Sequence, residues 1–176
     1  MTKDLTQGKI TPLLVKFTIP LLFGNIFQLM YNSVDSIIVC QLVGKEALAA
    51  VGTSNPLMTL AILFVNGMCI GASILMGTQY GAKKMDVLKR QISTTMIAGI
   101  VFSIAVTLFC ILFARPLLLL IRVQEEVLPL AVSYLRIVFL GFIFTFIYNF
   151  FACTLRALGD STTPLYFLVA SSVLNI

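Results

Sequence analysis

Residues 18–35 read TIPLLFGNIFQLMYNSVD, an apolar run that carries a regular set of polar side chains. At ~100° per residue, those side chains fall within an arc of roughly 100° on one face of a helix. Ionisable groups are costly at membrane depth and usually face a water-filled or protein-lined interior. The stretch therefore predicts a membrane-spanning helix with one functional polar face, made of Thr18, Asn25, Gln28, Asn32 and Asp35.

The composition is that of a polytopic membrane protein. Of 176 residues, 59% are hydrophobic and 11% are charged, and the mean hydropathy is +1.03. Soluble domains carry about 25% charged residues, so this chain has too few to cover a surface that faces water. Its apolar runs are continuous, which favours helices over the ~10-residue alternating strands of a membrane barrel. The predicted fold class is an all-α polytopic membrane protein.

The residue types also exclude several functions. The chain has no histidine, which rules out a His-based metal site or catalytic triad. It contains no HExxH, Walker A or GxSxG motif, so we expect neither enzyme activity nor a cofactor. The net charge of +5 comes from loop residues rather than from a basic face, so we expect no nucleic-acid partner.

The hydrophobic pattern predicts four full transmembrane helices and the start of a fifth. Thr11-Pro12 and Thr163-Pro164 both resemble helix starts, with Thr as the cap and Pro at the first helical position. The last predicted range is too short to cross a bilayer, so we expect the chain to be part of a longer protein. The expected helix bounds are 12–43, 46–80, 91–113, 127–155 and 164–176.

Glycine spacing makes a separate prediction about packing. In the second helix, Gly67 and Gly71, and then Gly77 and Gly81, have the GxxxG spacing that allows two membrane helices to approach closely. The third helix has few polar or small-residue signals, and we expect it to pack against neighbours or face lipid. Pro20 should loosen or kink the first helix.

The distribution of basic residues predicts a plasma-membrane protein with a cytoplasmic N-terminus. Cytoplasmic loops carry an excess of Lys and Arg, and this orientation places most of the basic residues inside. The inner group is Lys3, Lys9, Lys16, Lys83, Lys84, Lys89, Arg90 and Arg156, and the outer group is Lys45, Arg115 and Arg122.

Several short segments, in order along the chain, carry a family resemblance. They are Pro20 with Gly24-Asn25, then QLMYNSVD at 28–35, GKEALAAVG at 44–52, QYGA at 79–82, RALGDSTTP at 156–164 and LNI at 174–176. In their order and spacing they resemble the N-terminal part of the multidrug and toxic compound extrusion (MATE) family of efflux transporters. The resemblance extends over the whole chain.

The resemblance implies an architecture and a set of site residues. The architecture is twelve helices in two six-helix lobes with a central cavity and alternating access, of which this chain holds the first part of one lobe and lacks the C-terminal half. Export of a small-molecule substrate would be driven by inward flow of H⁺ or Na⁺. Asp35 and Asn175 match cation-coupling positions and would hold Na⁺. Gln28, Tyr31, Asn149 and Tyr134 match positions near the cavity.

The residues of the polar face are chemically suited to this role. Desolvation disfavours a charged carboxylate, so Asp35 could take up a proton or Na⁺ when buried and release it when solvated. Asn32 lies one turn before it, and amide and carboxylate oxygens are hard ligands that suit Na⁺. Two alternatives remain open: Asp35 could pair with Lys45 near the outer surface, and Asn25, Gln28 and Asn32 could hydrogen-bond to neighbouring helices.

Two other functions also fit the sequence. A lipid-linked sugar flippase or polysaccharide exporter of the same superfamily would need basic residues on intramembrane faces, and only Arg136 approaches that description. Arg136 is near a helix end and could instead extend to the interface. The other alternative is a component of the lipid bilayer that does not transport, such as an assembly partner or an inactive fragment.

Overall fold

The computed structural model describes residues 10–42 and 45–175, and within these it is all-helical. Three helices are long and apolar enough to cross a membrane, and a bent pair, α5 with α6, makes a fourth if it counts as one span. The helices are α1 Ile10–Leu42, α2 Lys45–Gly81, α3 Met85–Leu112, α4 Ala114–Leu120, α5 Leu128–Leu140, α6 Phe142–Ala157 and α7 Thr162–Asn175.

The helix bounds differ from the predicted ones at two places. Helix α3 begins at Met85 rather than near residue 91, and its first turn includes Asp86, whose negative charge is favourable at a helix N-terminus. The segment predicted as one helix over 127–155 consists of α5 and α6, which meet at Gly141 with a bend of 45°. A further short helix, α4, lies between the ranges predicted as 91–113 and 127–155.

Three helix ends share one backbone motif. After α2, Lys84 N–H donates to the Gln79 carbonyl at 3.0 Å and Lys83 N–H donates to the Tyr80 carbonyl at 3.0 Å. This is the Schellman arrangement, in which the residue after the helix adopts a positive φ. The residues at that position are Lys83 (φ 58°), Arg122 (φ 58°) and Gly159 (φ 85°).

The chain divides into two compact units. The first unit comprises residues 1–35, 69–95 and 150–176. Its buried side chains include Met76, Leu88, Phe150 and Cys153. Helix α2 closely approaches α6 there, since a Cβ placed on Gly77 would lie 3.6 Å from the Ala157 carbonyl oxygen.

The second unit comprises residues 36–68 and 96–149. Phe139 and Phe146 are among its largest buried side chains. The Thr107 hydroxyl on α3 donates to the Phe139 carbonyl at 3.0 Å, two residues before the bend at Gly141. Backbone groups near a break in a membrane helix need such partners, because lipid cannot hydrogen-bond to them.

A glycine that the sequence analysis did not single out makes a close helix contact in the second unit. Gly99 on α3 lies directly against the Phe146 ring of α6, and a Cβ placed on Gly99 would overlap that ring. Within the described residues, Gly67 and Gly71 instead have open space where a Cβ would be. The predicted close packing at Gly67 and Gly71 is therefore absent from the described residues. Helix α3 does pack against a neighbour, as expected, and the contact is between Gly99 and Phe146 of α6.

Replacing Gly99 with alanine should destabilise the protein by about 2 kcal/mol, because an extra methyl group in a packed core forces its neighbours to move. The Phe146 ring is only 1% exposed and has no free space to enter. A thiol-reactive fluorogenic dye can measure unfolding, since Cys69 and Cys153 are buried in the folded state.

Gly71→Ala is the matched control for this substitution. Its added methyl meets nothing within 4 Å, and alanine favours helix over glycine by up to ~1 kcal/mol. We expect an unchanged or raised melting temperature for Gly71→Ala. Equal melting temperatures for Gly99→Ala and wild type would contradict the packing described here.

Candidate functional site

Helix α1 packs on the rest of the first unit through one face. Its half-buried residues recur at helical spacing and include Leu13, Phe17, Leu21 and Gly24. At Gly24 the neighbour is α7, because a Cβ there would lie 3.6 Å from Leu165 Cδ1 and 3.9 Å from Leu168 Cδ2. The contact fixes the rotation of α1 about its own axis and therefore the direction of its polar face.

At ~100° per residue, the polar face lies beside the packed face and overlaps its edge, since Gln28 follows Gly24 by about one turn. Thr18, Asn25 and Gln28 are exposed. Among the described residues, the Asn25 and Gln28 amides form no side-chain hydrogen bond. Amide groups on an apolar helix need water or a protein partner, because lipid supplies neither donors nor acceptors. The apolar neighbours Ile26, Phe27, Leu29 and Met30 are exposed as well, so this stretch of α1 is uncovered on several sides within the described residues.

Four further predicted site residues belong to the helices of the first unit, and the structure describes the side chain of one of them, Tyr31. Tyr31 is half-buried and already takes part in an interaction. The side chains of Asn32, Asp35 and Asn175 lie outside the described part of the structure, although all three residues belong to helices α1 and α7. No group of three or more Cys, Asp or Glu side chains that could hold a metal ion occurs among the described residues.

The two remaining candidates, Asn149 and Tyr134, belong to the second unit. Asn149 is half-buried and its amide Nδ2–H donates to the Thr145 carbonyl of its own helix at 2.8 Å. That bond leaves the Asn149 side-chain oxygen available as an acceptor. Tyr134 is half-buried and takes part in an interaction.

The turn between α6 and α7 contains a carboxylate that the site prediction did not include. Asp160 is only 5% exposed. Its Oδ1 accepts hydrogen bonds from the Thr162 and Thr163 backbone N–H groups at 3.1 and 3.0 Å and from the Thr162 hydroxyl at 3.0 Å. Its Oδ2 accepts the Thr163 hydroxyl at 2.7 Å. Asp160 therefore caps the start of α7.

The hydrogen bonds to Asp160 determine its charge state. Burial alone would raise the pKa of this carboxyl group, but hydrogen bonds from the Thr163 backbone and from the Thr163 and Thr162 hydroxyls outweigh burial. Together they hold the pKa of Asp160 well below its usual range. Asp160 is consequently ionised near neutral pH and serves to build the start of α7, whose residues pack against Gly24.

Comparison with known proteins gives a consistent assignment. The MatE family model matches residues 20–176. The probable multidrug resistance protein YpnP of Bacillus subtilis is 33% identical over 98% of this chain and 39% of its own length. The probable multidrug resistance protein YoeA of the same organism is 36% identical over 91% of this chain and 35% of its own length.

A solved structure has the same fold. An outward-facing multidrug resistance MATE family transporter of the MOP superfamily superposes with a TM-score of 0.88 and 26% identity, over 99% of this chain and 39% of that one. The chain thus spans well under half the length of each of these proteins. The family match, the two relatives and the shared helical fold together establish that this chain belongs to the MatE family of membrane transporters.

Proposed function

We propose that this chain forms the first part of a transporter that exports small, amphipathic, cationic compounds from the cell. The observation that carries the proposal is the exposed polar face of α1, where Asn25 and Gln28 have no hydrogen-bond partner among the described residues. Such groups suit a hydrated pathway through the membrane. The names of the relatives, which are multidrug resistance proteins, support the same substrate class.

The proposed ion-coupling site consists of Asp35 and Asn175. Gly24 of α1 contacts Leu168 of α7. Asn32 follows Gly24 by eight residues on α1, and Asn175 follows Leu168 by seven residues on α7. Both steps are a rise of roughly 10–12 Å along the helix. Asp35 follows Asn32 by one turn. This register supports a shared site for Na⁺ or H⁺ at one depth of the first unit.

The proposed cycle is antiport through two states. Cation binding at Asp35 would favour one state and substrate binding along the polar face would favour the other, so inward cation flow would drive outward export. Tyr31 and Asn32 are proposed to complete the cavity in the first unit, and the roles of Tyr134 and Asn149 stay predictions from the resemblance. We further propose a twelve-helix protein in the plasma membrane with a cytoplasmic N-terminus, in agreement with the basic residues of its inner loops.

Ethidium efflux from everted membrane vesicles containing the whole protein tests this function. Gln28→Leu should lower the export rate by about tenfold, because an apolar side chain removes a polar group from the pathway, an effect of about 1.4 kcal/mol. The matched control is Met30→Leu, which changes an exposed apolar residue on the opposite side of α1 from the polar face. Absence of ethidium export from wild-type vesicles under both Na⁺ and H⁺ gradients would refute the proposal.

The alternative of a flippase for acidic lipid-linked sugars has less support. Such a protein needs basic side chains directed at its cargo. The Arg136 Nε–H instead donates to the Ile111 carbonyl at 3.3 Å within the second unit. Arg136 thus helps to hold α5 against α3, which is a structural role.

A further inference from the structure

A cavity of about 420 Å³ in the second unit and another of about 590 Å³ in the first unit lie outside the polar face of α1. The larger one is bordered by the first turns of α1 and by the turn that leads from α6 into α7. Its volume is in the range of small-molecule sites, roughly 300–1,000 Å³. Its lining is largely apolar, with Leu13, Phe17 and Ile19 contributed by α1.

Two polar side chains of different elements meet in this cavity. Lys16 contributes a positive charge from α1, and Ser161 contributes a hydroxyl from the turn before α7. Ser161 is 6% exposed, yet its hydroxyl forms no hydrogen bond among the described residues. Because Ser161 lines the cavity, its hydroxyl can donate a hydrogen bond to an occupant, and a ligand that accepts this bond would be held there.

The neighbouring carboxylate does not compete for this position. Both oxygens of Asp160 are engaged by Thr162 and Thr163 and are directed at the start of α7. The first amides of α7 are likewise occupied by Asp160, so an incoming anion would meet Lys16 and Ser161 rather than the end of the helix.

We propose that this cavity binds the phosphate group of an anionic phospholipid. Lys16 would pair with the phosphate charge, Ser161 would donate its hydroxyl hydrogen to a phosphate oxygen, and the acyl chains would lie along Leu13, Phe17 and Ile19. A phosphate without chains would leave that apolar lining exposed to water. The cavity would bind this lipid whether or not the protein transports a substrate, so the proposal does not depend on the proposed function.

The position of the cavity agrees with a lipid ligand. It is formed where α1 begins its apolar span, and therefore at a boundary between lipid and water. Tyr166, also in the lining, is 73% exposed, and tyrosine side chains are enriched at such boundaries. Anionic lipids at the cytoplasmic surface attract basic residues at about 1 kcal/mol each.

Thermal unfolding in neutral detergent tests the proposal, with the buried cysteines as reporters. Short-chain phosphatidylglycerol should raise the melting temperature of the whole protein in a saturable manner, and phosphatidylcholine and inorganic phosphate should raise it much less. Lys16→Gln should weaken phosphatidylglycerol binding about fivefold and Ser161→Ala about tenfold. Lys84→Gln, in an exposed position outside the cavity, should bind like wild type.

Native mass spectrometry with the same lipids provides a second measurement that does not depend on stability. Lys16→Arg should retain the bound phosphatidylglycerol, because it keeps the charge. Equal binding of phosphatidylglycerol to wild type and to a Lys16→Gln, Ser161→Ala double variant would overturn the proposal. An equal rise in melting temperature with inorganic phosphate would also overturn it, because that would indicate a site for free anions. An equal rise with phosphatidylcholine would overturn it too, because that would indicate a purely apolar groove.

Discussion

Replacing Asp35 with asparagine is expected to abolish gradient-driven export while substrate binding persists. Asparagine has nearly the same shape, but it cannot take up a proton and it offers Na⁺ no negative charge. A cation that binds two states equally shifts neither of them, so the coupling between cation and substrate is lost. Coupling free energies of about 1–3 kcal/mol correspond to a roughly 5–150-fold change in substrate affinity on cation binding, and Asp35→Asn should lose this change.

The measurement is ethidium efflux from vesicles with an imposed Na⁺ gradient or H⁺ gradient, together with ethidium binding at equilibrium. Asp86→Asn is the matched control, because Asp86 is an exposed carboxylate in the first turn of α3. Asp35→Glu keeps the charge and should retain part of the coupling. If Asp35→Asn and wild type export at the same rate under both gradients, Asp35 does not couple the ion, and its pairing with Lys45 becomes the better explanation.

The membrane class and the polar face of α1 could be predicted from sequence because both depend on local composition. Apolar runs long enough to span a bilayer are visible in one dimension, and so is the periodic spacing that brings Asn25 and Gln28 to one side. Asn25 and Gln28 are exposed, but so are the apolar residues beside them, so the functional role of this face stays a prediction. By contrast, the bend at Gly141 could not be predicted, because a single glycine in an apolar run is equally compatible with a straight helix.

Contacts between distant parts of the chain were not predictable for a related reason. Gly99 has no local signal that distinguishes it from Gly71, and only the position of Phe146 shows that Gly99 lies at a close contact. The cavity at Lys16 and Ser161 likewise depends on how α1 meets the α6–α7 turn. The cap at Asp160 is different, because aspartate shortly before Thr-Thr-Pro is a recognisable helix start.

Asp160→Ala is expected to have the largest effect on stability, a loss of about 3 kcal/mol. Two backbone N–H groups, those of Thr162 and Thr163, would lose a charged acceptor, and hydrogen bonds to charged groups contribute about 1.5–3 kcal/mol each. Asp160→Asn keeps one side-chain oxygen for these amides, so its loss should be near 1 kcal/mol. Dye-based thermal unfolding of the three proteins measures the difference. Equal melting temperatures would contradict the capping role.

The pH dependence separates the charge of Asp160 from its shape. Because hydrogen bonding holds its folded pKa below the ordinary value, Asp160 contributes its full stabilisation above the unfolded pKa of about 4. That contribution is lost as the pH falls from there toward the folded pKa, since the unfolded chain takes up the proton first. The stability difference between wild type and Asp160→Asn should therefore be constant from pH 7 to about 5 and shrink below about 4. A difference that stays constant at lower pH would show that Asp160 caps α7 by shape alone.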